Sequence, residues 1–394
     1  MNHLLRVLFS LIWILIFNEQ GQTKNFQTSA SQLLIFDDNT STILFEKQSD
    51  VVFFPASLTK LMTAETVFHQ LKKGFLNKEQ KFKVSENAWR KGGAPSGTTT
   101  MFTKEKTEIS VFDLLRGLVI VNGNDAAITL AEGIAGNEAN FAKLMNKRAK
   151  KLGLLNSNFV NSTGFPEEGQ FITLRDIITL ARHIAHEYPD YYALYSEPLF
   201  TWNKITQYNK NPLISEVTDV KIEGLGFGYS EETGFSAVIS AYKNQQRLFL
   251  AVSGLQNNKE RTKELKQILQ WSLTNFDLKT VFTKEEIVGY ASVYGGERNS
   301  VPLVVNEPIN FMLSNKKTLN DVKVIIRYHG PLKAPVTIGQ KIGIIQIFAD
   351  KQFLVEKSIW AGANVQEGNF FVKVKDALYE VTIGRLRKYL WKYL

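Results

Sequence analysis

Residues 55–64 read Pro-Ala-Ser-Leu-Thr-Lys-Leu-Met-Thr-Ala, and the apolar residues Leu58, Leu61, Met62, Ala64, Val67, Phe68 and Leu71 keep helical spacing through this stretch. The pattern predicts a helix from Ser57 to Lys73, closed by Gly74. Residues three apart share a helix face, so Ser57 and Lys60 point the same way. A partly desolvated lysine loses its proton readily and can take one from a serine hydroxyl. This makes a nucleophile and a base without histidine. The same residues also fit a blander description, in which Ser57 caps the helix and Lys60 is solvated.

Outward from this helix, Leu33–Asp37 and Thr42–Lys47 read as a strand hairpin. Helical stretches follow at Val111–Val121, Asp125–Ala135, Asn137–Leu152 and Leu174–Tyr188. Ser236–Tyr242 and Arg247–Val252 read as paired strands before a helix over Glu260–Asn275. Strands first, helices in the middle, and strands with a helix last predict one α+β domain whose sheet is assembled from distant segments. Beyond Val281 the helical period vanishes and short β-rich runs alternate with Gly and Pro. The expected organisation is a segment 1–23, a mixed domain 24–278, a small all-β domain 279–375 and a tail 376–394.

The two ends have their own signatures. Val7–Phe17 (VLFSLIWILIF) has the length of a secretory signal core and is short for a bilayer span. No small-x-small cleavage site follows, which leaves an uncleaved anchor or a buried terminal element as alternatives. In the tail, Leu386, Leu390 and Tyr393 share a helical face opposite Arg385, Arg387, Lys388 and Lys392. That pattern predicts an amphipathic helix lying in a membrane surface, the alternative being a helix packed on its own domain.

Composition excludes several chemistries. The 394 residues contain no cysteine, so disulfides, thiolate metal sites and a cysteine nucleophile are ruled out. His183 and His186 flank a helical turn beside Glu187, which a helix surface explains as well as a metal site does. The net charge of +9 suits an anionic surface or polymer. Export argues against nucleic acid as that partner. No cofactor or metal is expected.

PASLTKLMTA resembles the first motif of the penicillin-binding proteins, whose three motifs are S-x-x-K, S-x-N and K-T-G. The resemblance is to the low-molecular-mass group, the D-alanyl-D-alanine carboxypeptidases of serine peptidase family S11. NAWRKGGAPSGTTTMF (87–102), LLRGLVIVNGNDAAITLAE (114–132), NSTGFPEEGQFITLRDIITLAR (161–182) and LFLAVSGL (248–255) extend it. GERNSVPLVV and YHGPLKAPVTIGQKIG carry it into the β domain. It implies a transpeptidase-like α/β domain, a β-sandwich and an amphipathic anchor on the outer face of the inner membrane, in the periplasm. It also implies that Ser57 attacks the terminal peptide bond of a peptidoglycan stem peptide, that Lys60 takes its proton, and that β-lactams acylate the same serine.

Two motifs depart from the family. The second reads Asn122-Gly123-Asn124, with Asn122 in place of a hydroxyl that relays a proton. An amide has no comparably labile proton, and such a relay contributes about 10²–10⁴ in rate. The third motif aligns with Gly226-Phe227-Gly228, which lacks both the lysine and the threonine expected near the substrate carboxylate. Lys221 is five positions earlier, an odd offset that faces away on a regular strand. GLGFG (224–228) is Gly-rich but does not stand in the context of a phosphate loop. Three functional readings follow: a carboxypeptidase, slowed or redirected; a non-catalytic binder of peptidoglycan or of cell-wall enzymes; and a serine hydrolase for another acyl substrate.

Overall fold

In the computed structural model, which describes residues 26–350 and 352–379, β1 (Gln32–Asp37) and β2 (Thr42–Lys47) form the hairpin at one edge of a five-stranded antiparallel sheet. The rest of the sheet comes from late in the chain: β3 (Lys221–Ser230), β4 (Gly234–Lys243) and β5 (Gln246–Leu255), in the order β2-β1-β5-β4-β3. Alternation across the strands sorts side chains into two cores. Leu34, Val238, Phe249 and Ala251 face a helical lobe, while Leu33, Ile35, Ile239, Leu250 and Val252 face the opposite side.

The helical lobe contains α1 (Thr59–Lys72), α2 (Val111–Val119), α3 (Asn124–Ala135), α4 (Glu138–Leu152) and α5 (Leu174–Glu187). Every residue of α1 from Thr59 to Phe68 is buried, so this helix runs through the middle of the lobe. Ser57 lies just before it in a 3₁₀ turn, Ala56–Leu58, and no side chain caps either element. Ser57 as an N-cap is therefore not what is found. On the other face of the sheet, α6 (Asn258–Thr274) packs through Leu265, Ile268 and Leu269. Asn257 caps it by accepting from Glu260 N at 2.8 Å.

Strand β3 is the free edge of the sheet and borders a cleft against the helical lobe. Its pairing with β4 shifts register between Gly224 and Gly226, which leaves Leu225 as the extra residue of a bulge. The odd-offset argument for Lys221 fails across such a bulge. Lys221 is nevertheless outside the cleft lining, because its ammonium pairs with Glu223 Oε1 at 3.1 Å.

Beyond α6 the chain is almost entirely β. A two-stranded ribbon pairs β6 (Phe276–Phe282) with β9 (Ile309–Ser314). A six-stranded sheet joins β7 (Ile287–Tyr294), β8 (Ser300–Val304), β10 (Val322–Tyr328), β11 (Leu332–Lys333), β12 (Lys341–Ala349) and β13 (Gln352–Ala361). These strands enclose a third core around Phe311, Ile345, Ile347 and Ile359. Met312 ties this region to the first domain: it packs in the sheet's second core and donates from its N–H to Thr42 Oγ1 at 3.1 Å.

The last described helix, α7 (Phe370–Tyr379), begins six residues before the expected start of the tail at 376. Phe370, Phe371 and Val374 are exposed on it. Residues 380–394 and the apolar segment Val7–Phe17 lie outside the described residues. Among the described residues no helix is long and apolar enough to cross a membrane.

Candidate active site

The 3₁₀ turn places Ser57 at the floor of the cleft, and the first turn of α1 carries Lys60 beneath it. Lys60 Nζ donates to Ser57 Oγ at 3.0 Å and to the carbonyl of Thr163 at 2.9 Å. The lysine is 4 % exposed. Burial pushes its pKa down from 10.5 to about 7, against the opposing pull of the Asp125 and Glu138 carboxylates. A lysine in this state is about half neutral at pH 7, as a general base for a serine must be.

The loop 161–165 closes over this pair. Thr63 Oγ1 donates to the carbonyl of Ser162 at 2.7 Å, and Asn161 Oδ1 accepts from Gly164 N at 2.8 Å. Ala56, just before Ser57, has φ +47°, a conformation that costs a non-glycine residue about 1–2 kcal/mol. Gly164, at φ +80°, makes room for it, since a Cβ there would lie 1.8 Å from the carbonyl oxygen of Ala56.

The second wall of the cleft is the turn between α2 and α3. Asn122 adopts φ +60°, and its Nδ2 donates to the carbonyl of Phe227 across the cleft at 3.3 Å. Asn124 is 3 % exposed; its Nδ2 donates to Thr98 Oγ1 at 2.9 Å, and its Oδ1 is a buried acceptor with no partner. Asp125 points the other way and organises residues 100–103, accepting from Thr100 Oγ1, Met101 N and Thr103 N at 2.6–2.9 Å.

The third wall is β3. Gly226 faces Ser57's side of the sheet, where a Cβ would sit 3.0 Å from Leu58 Cδ2. Phe227 faces the other way, belongs to the second core and is 8 % exposed. It therefore does not plug the cleft but lies against Arg261, whose guanidinium is 4.6 Å from the ring centroid. Gly228 offers its carbonyl to Arg261 Nη1 at 3.2 Å. Ser57, Asn122, Asn124, Phe227 and Gly228 all line one cleft of about 1080 Å³. Lys60 and Gly226 line the small cavity behind it, which Ser57 also borders.

Two cations in the lining, Arg261 and Lys210, do not belong to any of the three motifs. Arg261 comes from the first turn of α6 and is 7 % exposed. It donates to Gly228 O, Ser236 O and Asn258 Oδ1, and its Nε has no partner. No described carboxylate neutralises it, and burial lowers its pKa to about 10. A buried cation without a counter-ion is costly, and this one borders the cleft. The only sequence signal for it was a single arginine near the start of a polar helix. His183, in contrast, belongs to a structural network with Glu65, which Arg148 and Tyr188 also contact, and His186 pairs with Asp38. Among the described residues no cluster of three or more His, Asp or Glu could hold a metal.

Comparison with known proteins adds to this geometry. A family profile described as D-alanyl-D-alanine carboxypeptidase matches residues 18–257, and one described as penicillin-binding protein 5, C-terminal domain, matches 276–367. The D-alanyl-D-alanine carboxypeptidase DacA of Haemophilus influenzae is 35% identical over 357 residues, 89% of each chain. The crystal structure of penicillin binding protein 5 from Haemophilus influenzae superposes with a TM-score of 0.73 at 32% identity, covering 88% of this chain and all of that one. Penicillin-binding protein D2 from Listeria monocytogenes, in its ampicillin-bound form, matches with a TM-score of 0.54 at 26% identity, over 64% of this chain and 99% of its own.

Proposed function

The chain belongs to the D-alanyl-D-alanine carboxypeptidase family, and we propose that it removes the terminal D-alanine of peptidoglycan stem peptides through an acyl-enzyme on Ser57. The observation that carries the reading is the 3.0 Å hydrogen bond between Ser57 and a buried Lys60 whose pKa has fallen to about 7. Keeping an unpaired lysine in a protein interior is unfavourable, and a non-catalytic binder would have no use for it.

Neutral Lys60 accepts the hydroxyl proton as Ser57 Oγ attacks the carbonyl carbon of the scissile peptide bond. The C–N bond then breaks, D-alanine leaves as an amine, and water cleaves the serine ester. The substrate's terminal carboxylate is held by Arg261, the uncompensated guanidinium in the cleft. This supplies the charge that Gly226 and Phe227 do not. Asn124 Oδ1, buried and unpartnered, is free to accept from a substrate N–H. β-Lactams acylate Ser57 by the same attack.

In our reading the enzyme works in the periplasm, on the outer face of the inner membrane, after export directed by Val7–Phe17. The tail 376–394 holds it there, through its apolar face and four cations contributing about 1 kcal/mol each at an anionic surface.

The activity is tested by incubating the protein with penicillin and measuring peptide masses, alongside D-alanine release from a stem pentapeptide. An adduct on the peptide containing Ser57, lost in Ser57→Ala, is expected. An adduct that persists in Ser57→Ala, or no D-alanine release, would overturn the reading. Attachment is tested by co-sedimentation with anionic vesicles. A form beginning at residue 24 should bind, partly resist high salt, and lose binding when 377–394 are deleted. Equal sedimentation of the deleted form would place attachment elsewhere.

A further inference from the structure

A departing D-alanine needs a proton on its nitrogen, and the amide N–H of Asn122 is too weakly acidic to transfer one. Behind Ser57 is a small cavity of about 20 Å³, with Lys60, Asn122, Tyr195, Lys210 and Gly226 in its lining. Among the described residues four border both this cavity and the open cleft: Ser57, Asn122, Lys210 and Phe227. Of these, Lys210 alone carries a charge.

Lys210 is presented by a loop that is fixed on both sides. Its N–H donates to the carbonyl of Ile120 at 3.1 Å, two residues before Asn122. Asn209 Nδ2 donates to the carbonyl of Glu197 at 2.9 Å, and Asn209 Oδ1 accepts from Asn211 N at 2.9 Å. Asn211 Oδ1 accepts from Leu213 N at 3.1 Å. The loop packs directly on the third wall, because a Cβ at Gly224 would lie 2.6 Å from Asn211 Cβ. Among the described residues no carboxylate pairs with the Lys210 ammonium. The loop backbone is tied to both neighbouring walls, and the charge it carries has no described carboxylate partner.

We propose that Lys210 is the second cation of this active site, delivering to the leaving amine the proton that Asn122 and Gly226 cannot supply. The inference rests on the carboxypeptidase reading above. As Ser57 Oγ bonds to the carbonyl carbon, its proton passes to neutral Lys60. As the C–N bond breaks, the electron pair goes to nitrogen, which takes one proton from the Lys210 ammonium. Lys60 is then charged and Lys210 neutral. Lys210, which is exposed, regains a proton from solvent, and Lys60 releases its own before water attacks the ester. The cation has moved from the strand to the facing loop, which is why Gly226 can lack a side chain in a working site.

The absence of cysteine from the chain makes a clean test possible. Lys210→Cys introduces a unique thiol, and 2-bromoethylamine converts it to a lysine analogue, whereas iodoacetamide gives a neutral adduct. D-Alanine release from a stem pentapeptide should fall by at least about 30-fold in kcat in Lys210→Cys, with KM changed less than threefold. Aminoethylation should restore kcat to within threefold of the native protein treated in parallel, and carbamidomethylation should not. Lys210→Arg keeps the charge but holds its proton, so its kcat should remain low. A Lys210→Cys enzyme within threefold of native, rescue by iodoacetamide, or full activity in Lys210→Arg overturns the inference alone. A native protein that neither forms the penicillin adduct nor releases D-alanine overturns the carboxypeptidase reading, and this inference with it.

Discussion

The two long walls of the cleft have had different fates. At the start of α1, Ser57 and Lys60 sit in the geometry that serine acylation requires, with the lysine buried and its proton loosened. Across the cleft, β3 carries Gly226 and Phe227, one without a side chain and the other turned into the core. On the roles proposed above, the difference marks which parts of such a site can be exchanged. A nucleophile and its base must share one proton over about 3 Å, so they are bound to each other and to one turn of helix. A cation that receives a carboxylate or helps a leaving group need only reach the right point in space. Any element bordering the cleft can provide it, and here α6 offers Arg261 and the 209–211 loop offers Lys210.

Several measurements would break or sharpen this contrast. The largest effect is expected at Arg261. Arg261→Met should lower kcat/KM for a peptide with a free terminal carboxylate by about 10²–10³-fold, the size expected when one partner of a buried charge pair is removed. The corresponding peptide amide should be hydrolysed equally slowly by native and variant. A loss below threefold, with an unchanged melting temperature, would put the carboxylate elsewhere.

Next is the pH dependence of the opposite wall. Lys60 acts only when neutral, so the rate of penicillin acylation should fall tenfold per pH unit below about 7 and level off above it. A rate still climbing steeply to pH 9 would mean that the lysine is not desolvated as the geometry indicates.

The smallest effect is on stability. Lys60 titrates near 10.5 when unfolded and near 7 when folded, so between these values the unfolded chain binds more protons. Stability therefore rises with pH across that window, and the cost of burying the charge is greatest at pH 7 and below. Lys60→Met removes that cost and also the bond to Thr163 O. It should be more stable than native by about 1–3 kcal/mol at pH 6 in urea denaturation, with the advantage gone by about pH 10.5. A variant less stable than native at pH 6 would contradict the burial argument.

Much of this was visible in the sequence, and the reasons differ by element. Helices such as 174–187 announce themselves through apolar spacing and a Thr173 cap, and the β1–β2 hairpin through two apolar runs around a polar turn. Ser57 and Lys60 were legible because their relation is local, one helical turn. Arg261 and Lys210 were not, because each reaches the cleft only after the sheet has brought a late segment back to Ser57. The bulge at Leu225 was equally hidden: it breaks the period of two on which the argument about Lys221 depended. The orientation of Phe227 followed from packing under α6, which no single-strand pattern encodes.

The loop at 161–165 gives Ser57 and Lys60 a further property. Lys60 is desolvated only while Thr163 O and Ser162 O sit over α1, and Ala56 holds its left-handed turn only against the bare backbone of Gly164. Before that docking, Lys60 is an ordinary protonated lysine and Ser57 an ordinary alcohol. The reagent is thus made by tertiary packing rather than by the helix that carries it. On this reading the capacity to be acylated is itself a sign that loop 161–165 is packed on α1.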